Sequence, residues 1–205
     1  LWFFHMVLVP GADSTLRPVF EGIAWSMVFV APLLTMRLVA EEFRSGTVET
    51  LMTAPVTDAQ VVLGKFFGVL AFYVALVATT LIYVILVIVF GRPDVGVLLM
   101  GYLGLLLLGA AFLAVGLFAS TLTSYQLFSA VVGIVLLLAF TILMQFGVQF
   151  APVGLRSLAA KLDAMSYFSA FARGMFDTAG AVFYLSVTAL FLFLSVKTLE
   201  SRRWL

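Results

Sequence analysis

Charged residues are absent from the whole of residues 95–155, and this absence limits the chain to very few architectures. A helix needs about 20 apolar residues to cross the hydrocarbon core of a bilayer, so this stretch alone can cross it twice. The full chain has 64% hydrophobic and 10% charged residues, against about 45–50% and about 25% in soluble domains. The sequence therefore predicts an integral membrane protein.

The apolar runs predict helices rather than barrel strands. Barrel strands alternate apolar and polar residues over about ten positions, whereas a run such as LLLLGAAFLAVGLFA shows no alternation. Backbone groups in lipid must be bonded within the segment or the bundle, so glycine and proline inside the runs are compatible with helices. The predicted fold class is an all-α polytopic membrane protein with a single transmembrane domain over residues 1–205.

Six transmembrane helices are predicted, the first of them truncated at the start of the sequence. The predicted spans cover residues 1–9 (the end of span one), 19–39, 61–90, 95–119, 127–150 and 179–196. The turn residues GRPD at 91–94 make spans three and four an antiparallel hairpin. Lys65, near the start of span three, is expected to snorkel toward the membrane surface.

The segment between spans five and six, residues 151–177, differs from an ordinary loop. It carries two apolar stripes at helical spacing, each too short to span a bilayer. The stripes are Leu155, Leu158, Ala159 and Leu162, followed by Phe168, Phe171, Ala172, Met175 and Phe176. They predict two short extracytoplasmic helices that either lie in or dip into the membrane interface, or pack as a hairpin against their own bundle.

A charge-rich island at residues 37–65 separates spans two and three. Its charged residues are Arg37, Glu41, Glu42, Arg44, Glu49, Asp58 and Lys65. Ser45 or Gly46 is expected to cap the start of a short helix that ends at Pro55. Thr57 and Gln60 then match a capping box that starts the next span. Residues 41–57 therefore predict a short amphipathic helix that meets a partner in the water.

That partner is expected to be a protein. The alternative is an interfacial helix that rests on lipid headgroups, but such helices prefer a basic face. Glu41, Glu42 and Glu49 would face anionic lipids unfavourably. Because Arg202 and Arg203 lie directly at a helix end, the positive-inside rule places the C-terminus and the island in the cytoplasm.

The composition also argues against several functions. Cysteine is absent and His5 is the only histidine, so the chain lacks nearly all the ligands that zinc, haem or iron-sulfur sites need. A net charge of +1 with scattered basic residues gives no footprint for nucleic acid. An intramembrane enzyme, which would be a third class of function, is disfavoured because the spans hold no paired carboxylates. No GxxxxGK[ST] phosphate loop is present, so ATP hydrolysis would need a partner.

Neutral polar residues within the spans are sparse. They are candidates for a transport pathway or for hydrogen bonds between helices. These residues are Thr79, Thr80, Thr141, Gln145 and Gln149.

The island also resembles part of a known family. The segment EEFRSGTVETLMTAPVTDAQVVLGKF is similar to the cytoplasmic loop of ABC-2 type transporter permeases, in which an acidic residue, a basic residue, Gly-Thr and a leucine precede a proline and a second helix. The segment FARGMFDTAGAVFYLSVTALFLFLSVKTLESRRW resembles the end of the gliding-motility permeases and their nitrous-oxide-reductase maturation relatives. The ATPase-coupling residues that the resemblance implies are Glu41, Glu42, Phe43, Arg44, Gly46, Thr47, Glu49, Thr50, Leu51 and Pro55.

This resemblance implies a membrane-spanning permease subunit of an ATP-driven ABC exporter in a bacterial or archaeal inner membrane. The loop would be a coupling helix seated in a groove of a soluble ABC ATPase subunit, and a second permease protomer would complete a homodimer or heterodimer. No cofactor is expected on this chain, since ATP and Mg would bind to the ATPase. The alternative is a mechanical transmitter that moves no solute and drives an extracytoplasmic partner, as the sparse polar residues and residues 151–177 suggest.

Overall fold

The computed structural model describes residues 16–46, 56–90, 94–150 and 152–202. Every regular element within those ranges is helical, in agreement with the predicted fold class. Five segments are long and apolar enough to cross a bilayer: Arg17–Ser45, Asp58–Val89, Val95–Leu122, Gln126–Phe150 and Thr178–Ser201. These five correspond to the predicted spans two to six, and the predicted end of span one lies outside the described residues.

The helices are numbered here in chain order. They are α1 (Arg17–Thr35), α2 (Ala40–Ser45), α3 (Asp58–Thr79), α4 (Leu81–Phe90), α5 (Val95–Leu122), α6 (Gln126–Leu138), α7 (Met144–Phe150), α8 (Val153–Leu162), α9 (Ala164–Ala172) and α10 (Thr178–Arg202). A π-helical segment, Ala139–Leu143, connects α6 to α7. The helix α4 follows α3 after Thr80, whose hydroxyl donates a hydrogen bond to the Val77 carbonyl.

The helix that begins the first described span ends earlier than the predicted boundary at residue 39. Pro18 lies in the first turn of α1, where its missing N–H costs nothing. The helix ends at Thr35, and residues 36–39 form a turn that leads into α2. The predicted span continued to residue 39 because apolar periodicity does not distinguish a helical turn from a tight turn with the same composition.

The capping box at the start of α3 is confirmed. The Thr57 hydroxyl accepts a hydrogen bond from the Gln60 amide at 3.3 Å, and the Gln60 side chain accepts one from the Thr57 amide at 2.9 Å. This reciprocal pair satisfies two of the backbone amides that every helix start leaves without a partner. It starts α3 at Asp58, three residues before the predicted start of this span at residue 61.

The helix α5 lies at the centre of the bundle, in contact with α1, α3, α6, α9 and α10. The buried Tyr73 hydroxyl donates to the Leu105 carbonyl at 2.8 Å. Its ring lies where Gly109 has no side chain, since a Cβ there would come within 2.1 Å of the ring. Thr80 pairs with Tyr102 at 3.0 Å. Tyr73 comes before Thr80 along α3, whereas its partner Leu105 comes after Tyr102, the partner of Thr80, along α5. The two helices are therefore antiparallel, as the predicted hairpin requires.

Large apolar side chains cover the outer surface of the bundle. Phe67, Ile85 and Leu127 are among those that are more than half exposed. A water-soluble protein rarely exposes such side chains in continuous patches. Contact with lipid explains this surface, because acyl chains are as apolar as the side chains themselves.

Residues 151–177 contain two short helices, as predicted, and α9 packs into the bundle. Met165, Phe168 and Phe171 are buried against neighbouring helices. The Asp163 carboxylate caps the start of α9 by accepting hydrogen bonds from the amides of Met165 and Ser166. Of the two arrangements predicted for this segment, packing against the bundle therefore describes α9.

The preceding helix, α8, has a different environment. It packs against α7 and buries Ala159, but Leu155, Leu158 and Leu162 are exposed. This arrangement suits a helix at the surface of the bundle, where lipid can cover the leucine stripe. The two stripes that looked equivalent in the sequence therefore have different roles in the fold.

Candidate functional site

The short helix α2 lies in the predicted coupling segment. Its sequence is AEEFRS, with Glu41 and Glu42 in the first turn and Arg44 in the last, which is the favourable order for the helix dipole. Gly46 ends the helix in the left-handed conformation, at φ 74°. A side chain in that conformation costs about 1–2 kcal/mol, so glycine suits this position.

Ser45 or Gly46 is predicted to cap the start of the helix that follows α2. In the structure, both residues lie at the end of α2, where the Ser45 hydroxyl donates back to the Glu41 carbonyl. The helix that was expected to follow lies outside the described residues.

A serine from another membrane span caps the start of α2. The Ser120 hydroxyl, on α5, accepts hydrogen bonds from the amides of Val39 at 3.1 Å and Ala40 at 3.0 Å. It also donates to the Met36 carbonyl at 3.2 Å. Val39 itself supplies no side-chain cap. Because Ser120, Val39 and Ala40 are all buried, water cannot replace these bonds.

Close contact between α1 and α5 supports this arrangement. Gly116, one turn before Ser120, faces Thr35 at the end of α1. A Cβ on Gly116 would come within 2.2 Å of the Thr35 hydroxyl oxygen. The Thr35 hydroxyl donates to the Ala31 carbonyl at 2.8 Å, so it is satisfied within its own helix. The turn that leads into α2 therefore begins from a tightly packed helix end.

A lysine from the following span forms a second attachment to α2. Lys65 Nζ on α3 donates to the Glu42 carboxylate and to the Leu38 carbonyl. The position of Lys65 near the start of an apolar run predicts that its side chain snorkels toward the membrane surface. In the structure it turns toward α2, because the carboxylate and the carbonyl together satisfy an ammonium group that is only 18% exposed. Removal of one partner would leave the other charge unpaired and partly shielded from water, which costs more than the loss of an exposed pair.

One side of α2 remains open to a partner. Glu41, Arg44, Ser45 and Gly46 are exposed, whereas Phe43 packs partly against the core. Of the predicted coupling residues, the structure thus places 41–44 and 46 together on one short element. The others, Thr47, Glu49, Thr50, Leu51 and Pro55, lie outside the described residues.

The predicted polar residues of the spans are spread over different environments. Thr79 and Thr141 donate to carbonyls of their own helices, whereas Thr80 also contacts Tyr102 on α5. Gln145 lines a cleft, and Gln149 is exposed. Within the described part of the chain, Thr80 is the only one of these five with a side-chain hydrogen bond to another helix.

Ser120 is the main residue that sequence reasoning missed. It appeared only as part of the polar stretch STLTSY that closes a span. Its partners lie 80 and 81 residues away, so no local pattern could connect them. Within the described ranges, no group of three or more His, Cys, Asp or Glu residues is placed to hold a metal ion.

Comparison with known families gives one match over most of the chain. The family described as ABC-2 family transporter protein matches residues 11–199. No curated protein matches the chain. The matched range contains α1 to α9 and nearly all of α10, including Ser120, Lys65 and α2. The chain belongs to the ABC-2 transporter family and is a multi-pass membrane permease component of an ABC transporter.

Proposed function

We propose that this permease works in an ATP-driven exporter, in which α2 receives the movement of a soluble ATPase subunit and passes it to the membrane spans. The observation that carries this proposal is the double attachment of α2. Ser120 fixes its start to α5, and Lys65 fixes its middle and the preceding turn to α3.

The energetics favour transmission over local distortion. If a partner pushed α2 without moving the spans, buried amides and a shielded ion pair would lose their partners. Each buried group left without a partner costs about 1–3 kcal/mol. Displacement of α3 and α5 together with α2 avoids this cost, so the favoured response is movement of both spans.

The exposed side of α2 is suited to a protein partner. Glu41 and Arg44 present opposite charges three residues apart, next to the sharp turn at Gly46. Opposite charges at an interface rim fix orientation more than they add affinity. The predicted coupling residues between 47 and 55 follow α2 in the sequence, and we assign them to the same ATPase contact.

The rest of the complex follows from this assignment. The face of α2 lies in the cytoplasm of a bacterial or archaeal cell, where an ABC ATPase binds ATP and Mg²⁺. This chain supplies no nucleotide site and pairs with a second permease protomer, either identical or related. The expected placement within the permease subfamilies is among the gliding-motility and nitrous-oxide-reductase maturation permeases.

Replacement of Lys65 by Met tests the proposal against a matched control. Lys197→Met removes a lysine of the same kind from an exposed pair with Glu200. Both variants are reconstituted with the ATPase, and ATPase capture and permease-stimulated ATP hydrolysis are measured. Lys65→Met should leave capture intact and reduce stimulation about fivefold or more, as expected for a coupling energy above about 1 kcal/mol. Lys197→Met should behave like the unmodified chain. Full stimulation in Lys65→Met would refute the role of α2.

A second candidate function is mechanical transmission to an extracytoplasmic partner. The exposed stripe of Leu155, Leu158 and Leu162 on α8 favours it, since such a stripe can also contact a protein. Vesicles that contain the whole complex distinguish the two functions. ATP-dependent uptake of a solute into inverted vesicles supports export and excludes pure transmission.

A further inference from the structure

A cleft of about 160 Å³ opens between α1, α7 and α9. Among the described residues, its lining consists of Glu21, Trp25, Gln145, Met165, Phe168 and Ser169. Glu21 lies in the second turn of α1, and Gln145 is the second residue of α7, five residues before that helix ends at Phe150. The cleft is therefore at the end of the bundle opposite α2, about 6–8 Å along the helices from their ends, given a rise of 1.5 Å per residue.

The cleft contains hydrogen-bonding groups that the described protein leaves open. Neither the Gln145 amide nor the Trp25 indole N–H has a hydrogen-bond partner within the described ranges. The Ser169 hydroxyl donates to the Ser166 carbonyl at 2.7 Å, which leaves its oxygen able to accept. The Gln145 side chain is only partly buried, so a molecule in the cleft can reach its amide. The lining therefore favours a polar occupant.

The π-helical segment explains why Gln145 faces this cleft. Ser129, Gly133, Leu137 and Thr141 are buried at intervals of four residues. In an α-helix, each interval of four residues rotates about 40° beyond one full turn around the axis. If the helix stayed regular, the next residue in the series, Gln145, would therefore lie away from the buried face. A π-helical turn holds more residues than an α-helical turn, so each residue rotates less around the axis. A π-helical segment therefore reverses the accumulated rotation. The Ala139–Leu143 segment thus returns Gln145 to the side that faces the bundle.

The electrostatics of the cleft favour a neutral ligand. Arg17 Nε donates to Glu21 Oε1 at 2.8 Å, so the carboxylate already has a cationic partner. The cleft offers both hydrogen-bond donors and acceptors in a small volume. They are the remaining acceptor positions of the Glu21 carboxylate, the Gln145 amide, the Trp25 indole N–H and the Ser169 hydroxyl. A ligand with adjacent hydroxyl groups would match these donors and acceptors, because each hydroxyl is both a donor and an acceptor. The indole face and the apolar floor of Met165 and Phe168 suit the C–H surface of the same molecule.

We infer that this cleft binds the neutral, hydroxyl-rich headgroup of an amphiphile, of the sugar or glycerol type, whose acyl chain lies along the lipid-facing surface. A headgroup of this class can come from a membrane lipid or from a molecule carried by the transporter. The inference does not depend on the role proposed for α2, because binding is measured without the ATPase.

Trp25 provides the measurement. Trp2→Phe and Trp204→Phe leave Trp25 as the sole tryptophan of the chain. The full chain in nanodiscs is titrated with an alkyl glucoside, with an alkyl phosphocholine of equal chain length, and with methyl glucoside. We expect a saturable change in Trp25 fluorescence, with the alkyl glucoside binding about tenfold more tightly than the phosphocholine. Equal affinity for methyl glucoside would overturn the inference in favour of a free polyol, and failure of methyl glucoside to bind would support an amphiphile.

Gln145→Leu and Gln149→Leu form a matched pair for this titration. They make the same substitution one helical turn apart, and only Gln145 lines the cleft. Gln145→Leu should weaken glucoside binding about tenfold, whereas Gln149→Leu should not change it. Equal binding of the two alkyl compounds, tighter binding of the phosphocholine, or equal effects of the two substitutions would overturn the inference.

Discussion

The hydroxyl oxygen of Ser120 lies 3.0 Å from the amide nitrogen of Ala40, 80 residues earlier in the chain. A side chain of the membrane-spanning helix α5 therefore caps α2, a short helix that follows a different membrane-spanning helix, α1. A cap from within α2 would leave that helix able to pivot as a unit. This distant cap instead fixes its start to the central helix α5, which contacts most of the bundle.

Ser120→Ala is expected to uncouple the permease without preventing ATPase capture. The substitution leaves the buried amides of Val39 and Ala40 without their acceptor, which should lower the free energy of unfolding by about 1–3 kcal/mol. Permease-stimulated ATP hydrolysis should decrease several-fold, because α2 no longer moves with α5.

Ser124→Ala is the matched control for this prediction. Ser124 lies in the turn that follows α5, and its hydroxyl makes no hydrogen bond to the described part of the chain. Thermal unfolding in detergent and ATP hydrolysis with the ATPase are measured for both variants. Equal hydrolysis in the two would mean that the cap plays no part in transmission.

Gly116→Ala should destabilise the protein, because the new methyl group would overlap the Thr35 hydroxyl. Overpacking of this kind costs about 1–3 kcal/mol. Thr35→Ala removes the obstructing oxygen, so the double variant should recover part of the lost melting temperature.

Gly64→Ala is the same kind of substitution, but it should raise the stability of the protein instead of lowering it. Apart from its chain neighbours and its own helical backbone, no atom of the described residues lies within 4 Å of the place where its Cβ would lie. Alanine in an open helical position stabilises by about 0.4–1 kcal/mol. If Gly64→Ala and Gly116→Ala lower the melting temperature equally, the contact with Thr35 is not the cause.

Asp163 should make the stability of the α9 region depend on pH. Burial raises the pKa of its carboxyl, and the hydrogen bonds from the Ser166 and Met165 amides oppose part of that rise. The folded protein therefore holds this proton more tightly than the unfolded chain does. Its contribution to stability is complete below the ordinary aspartate pKa and is lost as the pH rises through the raised pKa.

Asp163→Asn keeps an N-cap and removes the buried charge, so it should gain stability relative to the unmodified chain as the pH rises from about 4 to about 7. Asp163→Ala removes the cap and should cost about 0.5–2 kcal/mol. Melting temperatures at the two pH values measure both effects. An Asn variant that becomes relatively less stable toward neutral pH would contradict the assigned sign.

The spans and the start of α3 could be predicted because their causes are local. Apolar length determines a membrane helix, and the bonds between Thr57 and Gln60 connect residues three positions apart. The first turn of α2 was not predictable in the same way. Its cap comes from Ser120, so the helix starts where another span passes, and no property of residues 36–40 shows that.

The two apolar stripes of residues 151–177 show the same limit. Phe168 and Leu158 both occur at helical spacing, yet the first is buried and the second exposed. Burial depends on which neighbours the fold supplies, and α9 lies against α5 whereas α8 lies against α7. Likewise, Gln145 could be identified as polar within a span, but its place in a cleft depends on the π-helical segment before it.

The most direct test of the coupling account is a charge exchange between Glu42 and Lys65, read out as permease-stimulated ATP hydrolysis. Glu42→Lys and Lys65→Glu each place two like charges together and should each reduce stimulation about tenfold. The double variant restores the opposite pair and should exceed both single variants, although it loses the Lys65 bond to the Leu38 carbonyl. A double variant no more active than the weaker single variant would show that the contact between α2 and α3 does not transmit the movement.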